Sequence, residues 1–214
     1  MEIIKETIAE AWEASIDALL DHYVDRGEPV VTERDTTSVE LENMILVVTN
    51  PLKRVQISSK YPNPEYLRNY SGKALEYKYQ RQINHRAIET DLSGRKKINQ
   101  LKYVTNLLKQ TWYSTKGIVS IWDPYIDAET DNNHPPCTVL MQFYVRNNKL
   151  CLTDYFRSND AWLCAYGDMM ANVNVLKHVA KQLKLKVGKY THIVCCYHIY
   201  EYDIQNAMVA FLRV

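Results

Sequence analysis

The feature that most constrains this chain is a pair of seven-residue runs, Val139–Val145 and Leu150–Phe156, that alternate in character on either side of Asn147-Asn148. Asparagine tolerates the positive φ angles of a two-residue hairpin turn, so the spacing predicts two antiparallel strands that begin directly after Cys137. Around this hairpin the apolar residues recur at helical or strand spacing. Trp12, Ile16, Leu19 and Tyr23 mark one face of a helix over residues 7–24 with a stop at Gly27. Residues 38–49 read as a strand closed by Asn50-Pro51, residues 98–110 as a helix through Ile98, Leu101, Val104 and Leu108, and residues 117–122 as a buried strand. Val173, Leu176, Ala180 and Leu183 place a helix over 169–185 that ends at Gly188. In the last strand, residues 190–200, alternation puts His192, Val194, Cys196, His198 and Tyr200 on one face. Residues 61–95 are polar and tyrosine-rich and carry no readable period. The expected class is α+β, a mostly antiparallel sheet with helices packed against it, in a single domain over residues 1–214.

Composition narrows what such a domain does. Lys and Arg number 26 against 25 Asp and Glu, so no global positive field exists to hold a nucleic acid, and any phosphate must be met by a local cluster. The acidic start and the lack of a membrane-length apolar run lead to a cytoplasmic expectation without a membrane partner. Five cysteines, an odd number, leave free thiols as the default and thiol chemistry as an option.

Four segments then occur in a telling order: Pro135-Pro136-Cys137-Thr138 with Gln142-Phe143-Tyr144-Val145, Arg157-Ser158-Asn159-Asp160, the helix leading to Gly188, and His198-Ile199-Tyr200. Together they resemble the thymidylate synthase family and its relatives the cytidylate hydroxymethylases, well over residues 98–203 and loosely over the N-terminal third. The resemblance implies a thymidylate-synthase-like mixed sheet, a homodimer formed through that sheet, a pyrimidine nucleoside monophosphate as substrate, and 5,10-methylenetetrahydrofolate or a related reduced pterin as one-carbon donor. By the same resemblance Cys137 is the nucleophile that adds to C6 of the base, and a nearby arginine favours its thiolate. Arg157 and Ser158 stand for the phosphate pair, where a guanidinium fork and a hydroxyl meet the nucleotide. Arg34 stands for a second phosphate arginine. Lys116, in Ser114-Thr115-Lys116-Gly117, is one cation where the family has two arginines that cross to the partner subunit. His198 and Tyr200 stand for the pair that binds the sugar hydroxyl, and Asp160 for the aspartate that meets the folate ring. Tyr79 is placed as the tyrosine that helps remove the C5 proton, and Glu65 as the general acid.

Asp168 stands where uracil-specific members have an asparagine. Cytosine presents an amino donor at C4, which a carboxylate accepts, so the base expected is cytosine. The tryptophan and closing segment with which thymidylate synthases keep the departing cofactor dry cannot be located in the sequence. Water is therefore expected to capture the one-carbon unit, giving 5-hydroxymethylation of CMP or dCMP.

Rival readings stay open: thymidylate synthesis from dUMP, a cysteine hydrolase pairing Cys137 with His134 or His198, and a nucleotide-binding homologue with impaired catalysis. A metal site at His192, Cys195, Cys196 and His198 is disfavoured, because neighbouring strand residues point to opposite faces.

Overall fold

The computed structural model describes residues 1–26, 29–32, 36–53, 57–65, 67, 99–132 and 135–213. Its centre is a mixed seven-stranded sheet. The strands are β1 (Glu2–Lys5), β2 (Val30–Val31), β3 (Thr37–Val48), β4 (Gly117–Ser120), β5 (Thr138–Arg146), β6 (Lys149–Asp160) and β7 (Lys186–Tyr200). They run in the order β1-β3-β7-β6-β5-β4, with β2 hydrogen-bonded to β3. The β1–β3 and β6–β7 pairings are parallel and the others antiparallel. Among the described residues the helices are α1 (Ile8–Arg26), α2 (Gln100–Gln110), the one-turn α3 (Pro124–Asp127), α4 (Ala165–Leu183) and α5 (Glu201–Ala210).

Local chemistry explains several of these bounds. Helix α1 starts with a reciprocal capping box: the Glu10 amide donates to Thr7 Oγ1 at 3.2 Å, and the Thr7 amide donates to Glu10 Oε2 at 2.9 Å. The Asn99 side chain caps α2 by accepting from the Lys102 amide at 2.9 Å. Asn147 and Asn148 take φ of 51° and 56°, so the hairpin turns as expected and pairs Arg146 with Lys149. Helix α4 does not end at Gly188. Lys184 takes the left-handed cap at φ 56°, and Leu185 donates its amide to the Ala180 carbonyl at 3.0 Å. Gly188 lies inside β7, where an added Cβ would stand 2.6 Å from Cys151 Sγ, so close strand approach demands the glycine.

The helices cover one face of the sheet, and α1 and α4 also touch each other. Trp12 on α1 is fully buried, donates its indole N–H to the Ala161 carbonyl at 2.7 Å, and packs against Tyr61, Trp162, Tyr166 and Phe211. An aromatic cluster thus ties α1 to the start of α4.

Strict alternation fails near the middle of three neighbouring strands. Met44, Leu46 and Val48 in β3, Leu152 and Phe156 in β6, and Tyr190 and Val194 in β7 lie in the core on even numbers. Beyond them the core residues are Val39, Ala161, Tyr197 and Ile199, all odd. Asn43, at φ 54°, marks the irregularity in β3. The register continues unbroken across it, Glu42 opposite Cys196 and Met44 opposite Val194, with Phe156 opposite Val194 and Ser158 opposite Cys196, so the three strands change their inward face together without an inserted residue. His192 therefore faces the helices, whereas His198 and Tyr200 neighbour helix-facing Tyr197, whose hydroxyl lies 2.7 Å from Ser15 Oγ on α1. The single face expected for His192 through Tyr200 is in fact two. Burial, with Glu40 beside it, pushes the Cys196 thiol up to about 12.

Candidate functional site

Because β6 and β7 run parallel, their C-terminal ends lie together, with Ser158 opposite Cys196 and Asp160 opposite His198. Strand β5 is antiparallel to β6 and starts at the same end, with Thr138 opposite Phe156; β3 starts there too, with Ser38 opposite Tyr200. One end of the sheet thus gathers Cys137, the Arg157–Asp160 run, His198 and Tyr200, chain segments far apart in sequence. The carboxyl ends of parallel strands are a common place for ligands in open sheets.

Cys137 is exposed at the entry to β5. Its carbonyl accepts from the Arg157 amide at 2.9 Å, and the Arg157 guanidinium donates to the Pro136 carbonyl at 3.2 Å (Nε) and the Pro135 carbonyl at 3.1 Å (Nη2). The proline pair therefore docks the guanidinium on the segment that carries the thiol. Ser158 Oγ lies 3.4 Å from His198 Nδ1, and the same nitrogen is 3.4 Å from the Cys196 carbonyl. A carbonyl only accepts, so that contact places the proton on Nδ1. His198 meets Tyr200 edge to face at 4.8 Å, and Tyr200 stacks on Tyr202 at 5.2 Å.

Asp160 ends β6 and turns the chain, its Oδ1 accepting from the Trp162 and Leu163 amides at 3.0 Å each. Asp203, in the first turn of α5, is buried. Its carboxyl is raised above the ordinary aspartate range, first by burial and then by the charge of Asp160. Asp168 lies in the first turn of α4, only 7% exposed, and its Oδ2 accepts from Asn159 Nδ2 at 3.0 Å. Asn159, to which sequence reasoning gave no role, is thus the residue that holds Asp168; its place between Ser158 and Asp160 was the available signal.

Four expected residues are not among those described at this end of the sheet. Arg34 and Tyr79 fall outside the described residues. Glu65 is exposed; four residues before it, the Tyr61 hydroxyl donates to the Leu163 carbonyl at 2.6 Å, in the turn that Asp160 caps. Lys116 precedes Gly117, which pairs with Phe143. Six strand residues separate Phe143 from Cys137, roughly 20 Å, so one chain does not bring Lys116 to its own thiol.

An exposed cysteine on a segment docked to an arginine, with a histidine and tyrosine at the same end of a mixed sheet, is chemically equipped for nucleophilic attack on an anionic substrate. The family model described as thymidylate synthase matches residues 29–213. A protein of Methanocaldococcus jannaschii named "Putative thymidylate synthase" is 33% identical over 92% of this chain and 90% of its own length. Proteins bearing the same name from Methanothermobacter marburgensis (26% identical, 96% of each chain) and Methanosarcina barkeri (25%, covering 92% of this chain and 88% of the relative) match as well. The chain belongs to the thymidylate synthase family, whose members transfer one-carbon units to pyrimidine nucleotides with methylenetetrahydrofolate. No helix among the described residues is long and apolar enough to cross a membrane.

Proposed function

We propose that this family member, read as one domain over residues 1–214, places a hydroxymethyl group on C5 of CMP or dCMP. The observation that carries the base assignment is the buried Asp168 carboxylate, held by Asn159 at the end of the sheet where Cys137 and Arg157 also lie. A carboxylate accepts from the cytosine amino group, whereas uracil would oppose its O4 to that carboxylate at a cost of about 1–3 kcal/mol.

In this reading the Cys137 thiolate, favoured by Arg157, adds to C6 and makes C5 nucleophilic. Arg157 and Ser158, with Arg34, bind the phosphate; His198 and Tyr200 hold the sugar; Asp160 offers a carboxylate suited to the amino and amide donors of a pterin. Methylenetetrahydrofolate supplies the one-carbon unit. Tyr79 assists removal of the C5 proton and Glu65 supplies the general acid. Lys116 serves the phosphate of a second copy, which fits its separation from its own Cys137 and gives a homodimer a catalytic reason. Exposed Trp112, Tyr113 and Ile118 flank that lysine and suit an apolar contact with the second copy.

The names of the methanogen relatives favour a second reading, methylation of dUMP. Incubating the protein with methylenetetrahydrofolate and each of CMP, dCMP, UMP and dUMP, and weighing the products, decides between them. A mass gain of 30 Da on a cytosine nucleotide is expected, the formal addition of CH2O. Turnover of dUMP alone to a methyl product overturns the assignment.

A further inference from the structure

Behind the site, in the interior between β6, β7 and α4, lies a fully buried aspartate that the proposed chemistry does not use. Asp154 is 0% exposed and accepts from Asn172 Nδ2 at 2.5 Å, the Tyr190 hydroxyl at 2.5 Å and His192 at 2.7 Å. His192 is itself fully buried, its ring edge-on to Phe156 at 4.7 Å. A buried carboxylate with three donors is directional where the surrounding core is not.

Strand β6 holds α4 through two carboxylate–amide rungs of opposite polarity. In one, Asp154 on the strand accepts from Asn172 on the helix; in the other, Asn159 on the strand donates to Asp168 on the helix. Asn172 and Asp168 are four residues apart, so they stack on one face of α4. Met169, Val173 and Leu176, buried beside them on α4, are apolar and set no fixed height along the sheet, and the Tyr166 hydroxyl, which accepts from the Ser58 amide at 3.3 Å, ties the start of the helix to a loop and not to β6. We propose that Asp154, Asn172, Tyr190 and His192 form a positioning device that sets the rotation and height of α4, and through them the place of Asp168 against the base.

The inference rests on the reading of Asp168 as base selector and makes Asn172 and Asp154 specificity-positioning residues. Losing the rung moves Asp168, so base preference falls and the change appears in KM for the nucleotide more than in kcat. A rung that served stability alone would lower Tm and leave the preference of the folded enzyme intact.

The test is a charge swap on the full chain, read as the cytosine-to-uracil ratio of kcat/KM per active site. N172D opposes two buried carboxylates, and the ratio is expected to fall about tenfold. Adding D154N restores one donor and one acceptor across the gap, and D154N/N172D should return the ratio to within about threefold of the parent. If N172D does not fold, N172A cuts the rung without adding charge and should lower the ratio in the same direction. D168N separates the two claims. A ratio that D168N leaves unmoved overturns the base reading and this inference with it. A ratio that D168N shifts, but that the Asn172 variants leave at the parent value, overturns this inference alone.

Discussion

Two stretches of the same strand, β6, treat charge in opposite ways. At its middle, Asp154 is sealed from water and met by three donors. At its end, Arg157, Ser158 and Asp160 are half-buried, and Arg157 donates to backbone carbonyls and pairs with no carboxylate among the described residues. The first arrangement stabilises and orients. The second keeps polar groups at a solvent-accessible edge, where the proposed phosphate site has a guanidinium that no carboxylate among the described residues neutralises. The sealed cluster and the proposed substrate site are thus separated by only a few residues of one strand, in one continuous register with β7.

That separation can be broken experimentally. The largest effect is expected at the open end: C137A should lower turnover about a thousandfold or more while leaving Tm near the parent value. A thermal midpoint that collapses with the activity would instead make Cys137 part of the packed interior. Next comes the sealed middle. D154A strands three buried donors and should cost about 3 kcal/mol, seen as a fall in Tm of about 9 °C by calorimetry. A change within 2 °C, about 1 kcal/mol or less, would dismiss the contrast.

Two finer effects sharpen it. R157K keeps the charge but loses the fork, and KM for the nucleotide should rise about tenfold with Tm little changed. The smallest effect concerns Asp203, whose carboxyl is raised by burial and by Asp160. A raised acid favours folding in its neutral form, so that benefit is complete below the ordinary aspartate range and is lost as pH rises through the folded value. D203N should therefore raise Tm by about 2 °C at pH 7, and the gain should vanish near pH 3. An equal gain at both pH values would show that charge is not the cause.

How much was legible in the sequence follows from how local each signal is. The Asn147-Asn148 hairpin, α1 with Trp12 and Ile16, and α2 with Val104 and Leu108 all depend on residues within a few positions of one another. Periodicity reads such elements directly. Strand β1 and helix α5 went unread: four residues of β1 find their partner in β3, and α5 follows β7 with no loop between. The motif order around Cys137, Arg157 and His198 carried the family, because residue types at fixed spacing survive in one dimension.

Sequence alone determined the hairpin, the main helices and which residue types are present to do chemistry, since each of these is encoded by near neighbours. Only the tertiary structure decided that α4 ends at Lys184, that the inward face of β3, β6 and β7 switches midway, that Asp168 is buried against Asn159, and that Asp154 gathers three donors from two other elements. The physical reason is that a change of inward face shared by three strands and a buried polar cluster are agreements between strands and helices distant in the chain, and no window along one segment contains them.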